Sequence, residues 1–182
     1  MIVCENETFT TSSGKLRQGF YMDNFMVANL DFLKKMVHHK WDGVGIVCGQ
    51  VGSGKTTVSQ ACMKYLDPSF NLDRIVFSGE ELMIAIDKAQ KGQGIIFDEA
   101  VMALSSQDFA TDLQRALIKK FTLIRSKNLY IFLIIPNFFM MRKWFCVDRT
   151  KYMLYTYSPD GLKRGFVKFF SWNRKKDLYL KG

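Results

Sequence analysis

The sequence predicts an α/β fold, a three-layer sandwich with a mostly parallel central sheet and a C-terminal β-hairpin. Three observations carry the prediction. Short apolar runs alternate with amphipathic helical patterns, and parallel strands need crossover helices of that kind. A glycine-rich stretch, GQVGSGKTT (49–57), directly follows one apolar run, GVGIVC. Two adjacent carboxylates, Asp98 and Glu99, directly follow another.

The elements are justified in chain order. Residues 1–20 are polar and turn-rich, with TSSGK at their centre, and read as a loose arm or edge strand. DNFMVANLDFLKKMVHHK places Phe25, Met26, Leu30, Leu33, Met36 and Val37 at helical spacing. GVGIVC is the first core strand. TTVSQACMKYL then repeats apolar residues helically at Val58, Ala61, Cys62, Tyr65 and Leu66. RIVFSG (74–79) is a second strand, and EELMIAIDKAQ is a helix with acidic residues in its first turn. GIIFDEA (94–100) is a third strand. QDFATDLQRALIKKFTLIR (107–125) is a long amphipathic helix, and LYIFLIIP a fourth strand. KYMLYTY and LKRGFVKFFSW form two strands around a turn built from Pro159, Asp160 and Gly161.

The chain has 182 residues, 48% hydrophobic and 24% charged, which suits one globular domain over 1–182. Its divisions are the arm (1–20), a core (41–150) and a basic β-hairpin with a tail (151–182). No signal peptide or transmembrane segment is expected. The most apolar stretch, LYIFLIIPNFFMM, is too short and is broken by Pro136 and Asn137. The four cysteines form no C-x-x-C pair, and Cys48 and Cys62 sit in apolar contexts. Buried free thiols in a cytoplasmic protein, host cytoplasm if the source is viral, are the expectation. His38 and His39 end a helix and have no metal-ligand spacing around them.

Gly49, Gly54, Lys55 and Thr56 fit G-x-x-x-x-G-K-[ST]. Glycines let backbone N–H groups approach an anion closely. Lys55 places a cation against the β- and γ-phosphates, and Thr56 offers its hydroxyl to Mg2+. The helix starting near Thr56 turns its positive end toward the phosphates. The whole run Gly49, Gln50, Val51, Gly52, Ser53, Gly54, Lys55, Thr56 and Thr57 is therefore expected to hold the phosphate chain of the cofactor. Asp98, at a strand end, is expected to complete the Mg2+ shell, and Glu99 to orient and polarise the attacking water. Two carboxylates favour hydrolysis by water over transfer to a small acceptor. Asn137 ends the following strand, where its amide could bond the γ-phosphate or the water.

GQVGSGKTT, then IIFDEA, then a long helix ending in IRSKNLYIFLIIPN, resembles the additional-strand class of P-loop ATPases. Within that class the layout is similar to the FtsK–HerA group of DNA-pumping motors, which includes viral packaging ATPases, and to the Zot-like ATPases. Those families usually carry Gln where this chain has Asn137. The resemblance covers roughly residues 41–150. It implies a P-loop NTPase sandwich, ATP and Mg2+ as cofactors, and a homo-oligomeric ring, often a hexamer, with ATP bound between subunits. An arginine from a neighbouring subunit would then stabilise the transferring phosphoryl. Arg125, just before the fourth strand, is the first candidate, and Arg142 and Arg149 are the others. A cation that ends a helix, as Arg125 does, is also explained by the helix dipole.

The charge distribution points to the partner. The chain is +9 overall, yet residues 141–182 hold eleven Lys/Arg against three Asp, and residues 1–140 are nearly balanced. Lys163, Arg164, Lys175 and Lys176 are the cations expected to meet a polyanion. Basic residues suit a phosphate backbone, so DNA is the expected partner through the 141–182 segment. The aromatics there are assigned to packing. Two other functions fit parts of the sequence. A small nucleotide or metabolite kinase would need an acceptor pocket and an arginine-rich lid, and 79–94 shows neither. An ATP-dependent assembly factor would use the basic segment on a protein or membrane.

Overall fold

The structure is a computed structural model that describes residues 2–10, 16–104 and 112–181. Strands β1 (Ile2–Thr10) and β2 (Leu16–Tyr21) pair antiparallel as a separate two-stranded sheet. The expected arm thus pairs as a two-stranded sheet of its own and is not an edge of the central sheet; TSSGK (11–15) lies outside the described residues. Asp23 then caps helix α1 (Asn24–His38), its carboxylate accepting the Phe25 N–H at 2.7 Å.

Six strands make the central sheet. They are β3 (Gly43–Gly49), β4 (Ile75–Val76), β5 (Gly94–Phe97), β6 (Tyr130–Ile135), β7 (Tyr152–Tyr157) and β8 (Phe166–Phe170). The order is β4–β5–β6–β3–β7–β8, with β8 antiparallel and the others parallel. The mostly parallel sheet and terminal hairpin are therefore as expected. Strands covered on both faces read as continuous apolar runs, and β3, β5 and β6 are buried at every position.

Helices α1 and α2 (Lys55–Leu66) cover one face, over Val47, Ile96, Phe132 and Ile134. Helices α3 (Gly79–Lys88), α4 (Val101–Leu104) and α5 (Asp112–Lys127) cover the other, over Ile46, Ile95, Ile131 and Leu133. Ser78 and Glu81 form a reciprocal capping box at the start of α3. Helix α5 was expected from residue 107; residues 107–111 lie outside the described residues. Cys48, Cys62 and Cys146 are free and buried, and burial pushes all three thiols up to about 12.

Two cations, one buried and one mostly buried, organise the C-terminal half. Arg149 ends a π-helical turn (Trp144–Arg149), pairs with buried Asp42 and donates to the Phe121 carbonyl from Nη2 at 2.8 Å. This joins the entry to β3, helix α5 and the entry to β7. The expected C-terminal tail is instead helix α6 (Trp172–Lys181), packed on the π-turn. Its inward position is Lys175, fully buried, with Nζ donating to the carbonyls of Cys146 and Val147. Lys175 is therefore not a surface cation and must leave the set expected to meet a polyanion.

Burial pulls the Lys175 ammonium down to about 8 from its ordinary 10.5, against the attraction of Cys146 and Asp148 and with some help from Lys151. The folded state thus binds this proton less tightly than the unfolded chain does. The stability carried by the neutral amine is full above 10.5 and lost as pH falls through about 8. Urea unfolding of wild type and Lys175→Met should show the wild type gaining on the variant as pH rises from 8 to 10.5. A difference independent of pH would contradict the buried-amine account.

Candidate active site

The parallel strands all end on one edge of the sheet, and the predicted site is built there. At the end of β3 the backbone of Gly49 has φ +148°, and a Cβ on it would lie 2.0 Å from the Thr156 carbonyl oxygen. Only glycine lets the loop leave the strand so close to β7. Gly54 precedes α2 at φ +91°, again in the left-handed region. Ser53 Oγ lies 2.7 Å from both the Gln50 carbonyl and the Thr156 hydroxyl, which fixes the base of the loop to β7. Lys55 Nζ bonds the carbonyls of Gly49 and Gln50, each at 3.0 Å, which places the ammonium inside the curve of the loop.

The second half of the site comes from β5. Asp98 N–H donates to the Val76 carbonyl at 2.9 Å, and Ala100 N–H to that of Ile134 at 3.0 Å. The turn is therefore fastened to strands on both sides. Between them Glu99 takes φ +57°, a conformation that costs a non-glycine residue about 1–3 kcal/mol. Such residues persist where their surroundings over-determine them, and they concentrate at functional sites. The Thr56 hydroxyl donates to Asp98 Oδ2 at 2.8 Å, joining the two halves. Lys55, Thr56, Asp98 and Glu99 line one cleft of about 530 Å³ with Val51, Phe77 and Pro136.

These residues fit a magnesium ion. Mg2+ takes oxygen ligands and is commonly held by one or two carboxylates together with substrate phosphates. A hydroxyl and a carboxylate in direct contact are such a donor pair. Among the described residues no group of three or more His, Cys, Asp or Glu gathers as an all-protein cage.

The remaining predicted residues lie elsewhere. Asn137 caps a 3-10 turn, its Oδ1 accepting the Phe139 N–H at 3.0 Å. It borders a neighbouring cavity of about 430 Å³ with Gly49 and Gln50, not the cleft of Asp98 and Glu99. In the sheet register Leu133 is level with Phe97, so Asn137 stands well beyond the level of Asp98. Arg125 sits at the opposite edge of the sheet, its guanidinium 5.0 Å above the ring of Trp41. It does not reach the cleft of its own chain. Arg149 is held in the buried pair with Asp42. Arg142 is half-buried between β6 and the π-turn. The sequence reading missed the Thr156 support beneath the loop; no local signal marks it, because it is contributed from β7.

No protein-family profile and no curated protein sequence matches this chain. Solved structures do. The genome packaging NTPase B204 of Sulfolobus turreted icosahedral virus 2, in complex with ATP-gammaS, superposes with TM-score 0.52 at 13% identity, covering 74% of this chain and 94% of that one. The N-terminal domain of zonular occludens toxin from Neisseria meningitidis gives 0.50 at 15% identity, over 75% of this chain and 97% of that one. A chain of the E. coli MS115-1 HORMA:CdnC:Trip13 complex gives 0.51 at 12% identity, over 76% of this chain and 63% of that one.

The buried pair gives a test of what Arg149 does. Removing one partner of a buried ion pair typically costs about 3–5 kcal/mol. Arg149→Ala should lower the unfolding free energy by that order, read from urea denaturation. A fully stable variant that had lost only nucleotide turnover would contradict the structural role. The sheet order, the loop after β3 and the paired strand ends together give this chain the fold of the P-loop NTPases, shared with the viral packaging NTPase and the zonular occludens toxin domain.

Proposed function

We propose that this chain is an ATP-hydrolysing subunit of a ring-forming motor that acts on DNA, in packaging or translocation, for a virus or mobile element. The observation that carries the hydrolytic part is the 2.8 Å contact between Thr56 and Asp98, with Lys55 and Glu99 in the same cleft. The loop would hold the phosphates against the N-terminus of α2, with Lys55 facing the β- and γ-oxygens. Thr56 and Asp98 are the residues that would hold Mg2+, which would supply positive charge to the phosphate oxygens. Glu99 takes a proton from water as the water oxygen attacks the γ-phosphorus. The bond from that phosphorus to the β–γ bridging oxygen breaks, releasing ADP and phosphate.

The oligomeric part is supported by exposed apolar side chains along the nucleotide edge. Val51 follows β3, Phe77 follows β4, Phe139 and Met140 follow β6, and Leu162 follows β7; all are exposed. Exposed apolar surface around a catalytic cleft suits a second copy closing over it. A ring would let Arg142 or Arg125 of one subunit serve the cleft of the next. Asn137 can offer its amide N–H group to nucleotide or water from the strand end.

The DNA part rests on charge. Among the described residues Lys163, Arg164, Arg174 and Lys181 are exposed, and Lys176 lies 5.1 Å over the Trp172 ring. The β7–β8 loop carrying Lys163 and Arg164 reaches the phosphate loop, since a Cβ on Gly54 would stand 3.9 Å from Gly165 N. Polyanion and nucleotide would then meet one edge of the molecule. The absence of a lid-like arginine segment between Gly79 and Gly94, where α3 packs Leu82 and Ile86 into the core, supports hydrolysis over a kinase reaction.

Two experiments test the reading. Glu99→Gln should keep ATP affinity and slow phosphate release at least about a hundredfold, the usual contribution of a positioned base; normal turnover would remove Glu99 from that role. Lys163→Glu, Arg164→Glu and Lys176→Glu together should weaken DNA binding. Each lost phosphate contact should flatten the slope of log affinity against log salt by roughly 0.7 to 0.9. Wild-type protein with no salt-dependent affinity for single- or double-stranded DNA would overturn the DNA part.

A further inference from the structure

The phosphate chain has a direction in this site. Asp98 and Glu99 stand at the β5 side of the loop, so the terminal phosphate and its water belong on that side. A nucleotide gripped by the loop must leave it on the other side of β3, toward β7 and β8. There the chain closes in, with Gly165 next to Gly54. Just past that contact lies a further cavity, of about 410 Å³, within the range that takes small organic ligands. Its floor is Val58 and Ala61 of α2, one and four residues past Thr57, or about 1.5–6 Å along the helix axis. Tyr21, Phe25 and Phe166 form its walls, and they are 75%, 64% and 41% exposed.

Aromatic rings held at the surface beside a phosphate site match the flat, apolar faces of a nucleobase. We infer that this cavity is the base-binding subsite of the nucleotide, with Tyr21 and Phe166 packing against a purine ring. The inference rests on the proposed reading of the phosphate loop, and it joins three distant parts of the chain to it: the end of the N-terminal hairpin, the second turn of α2 and the start of β8. It also gives the separate β1–β2 sheet a task, because Tyr21 is the last residue of β2.

The test uses two probes on the whole protein, a non-hydrolysable magnesium–ATP analogue and inorganic tripolyphosphate, each followed by calorimetry. Tyr21→Ala with Phe166→Ala removes two exposed rings, and thermal melting checks that the fold is kept. The variant should lose about five- to hundredfold in affinity for the ATP analogue, the span of base–aromatic stacking, while its affinity for tripolyphosphate stays at the wild-type value. Unchanged affinity for the analogue would overturn the base subsite. An equal fall for both probes would also overturn it, because the rings would then act on the phosphate loop. Wild-type protein that binds tripolyphosphate but gains nothing from the nucleoside overturns the subsite alone. Wild-type protein that binds neither probe overturns the phosphate reading and the subsite together.

Discussion

The placement of β6 between β3 and β5 is the constraint on which the rest of the site depends. Adjacent strands lie about 4.8 Å apart, so the strand carrying the phosphate loop and the strand carrying the carboxylates are held roughly 10 Å apart. That interval is too wide for a direct backbone contact between their ends. The first turn of α2 bridges it with the Thr56 side chain, and Asp98 answers from β5 at 2.8 Å. The same spacing leaves the open cleft between the loop and Glu99. Moving β5 next to β3 would close the cleft, and a further inserted strand would part the pair.

The other side of β3 is organised by a different device. β7 supplies Thr156 beneath the phosphate loop, and its antiparallel partner β8 returns Gly165 to the loop's end. The approach to β7 is fixed by two cations, Lys175 fully buried and Arg149 mostly so. Arg149 ties it to Asp42 at the start of β3, and Lys175 ties α6 to carbonyls of the π-turn. Buried cations are costly unless their hydrogen bonds are met, and both are met here by carbonyls or a carboxylate. The C-terminal segment thus carries positive charge both inside the fold, at Lys175, and on its surface, at Lys163, Arg164 and Arg174.

Much of this was legible in the sequence, and the failures have physical causes. The phosphate loop and the acidic strand end were readable because they impose residue types on consecutive positions. Core strands were readable from unbroken apolar runs. Helix α6 was not, because its inward position is Lys175 and the apolar stripe expected of a packed helix is interrupted there. The Asp42–Arg149 pair spans 107 residues, and nothing local in either neighbourhood announces the other. Asn137 was legible as a strand end, but its height above Asp98 depends on sheet register, which composition does not carry. The aromatic cavity is assembled from three separate stretches and shows as a site only when they are folded together.

The most direct measurement of the central claim is phosphate release by the purified wild-type chain with ATP, magnesium and DNA, repeated with a metal chelator. If the loop and the β5 carboxylates form one hydrolytic centre serving a DNA motor, ATP should be hydrolysed, DNA should raise the rate, and the chelator should abolish it. Tight ATP binding without turnover, under every magnesium and DNA condition, would contradict the account.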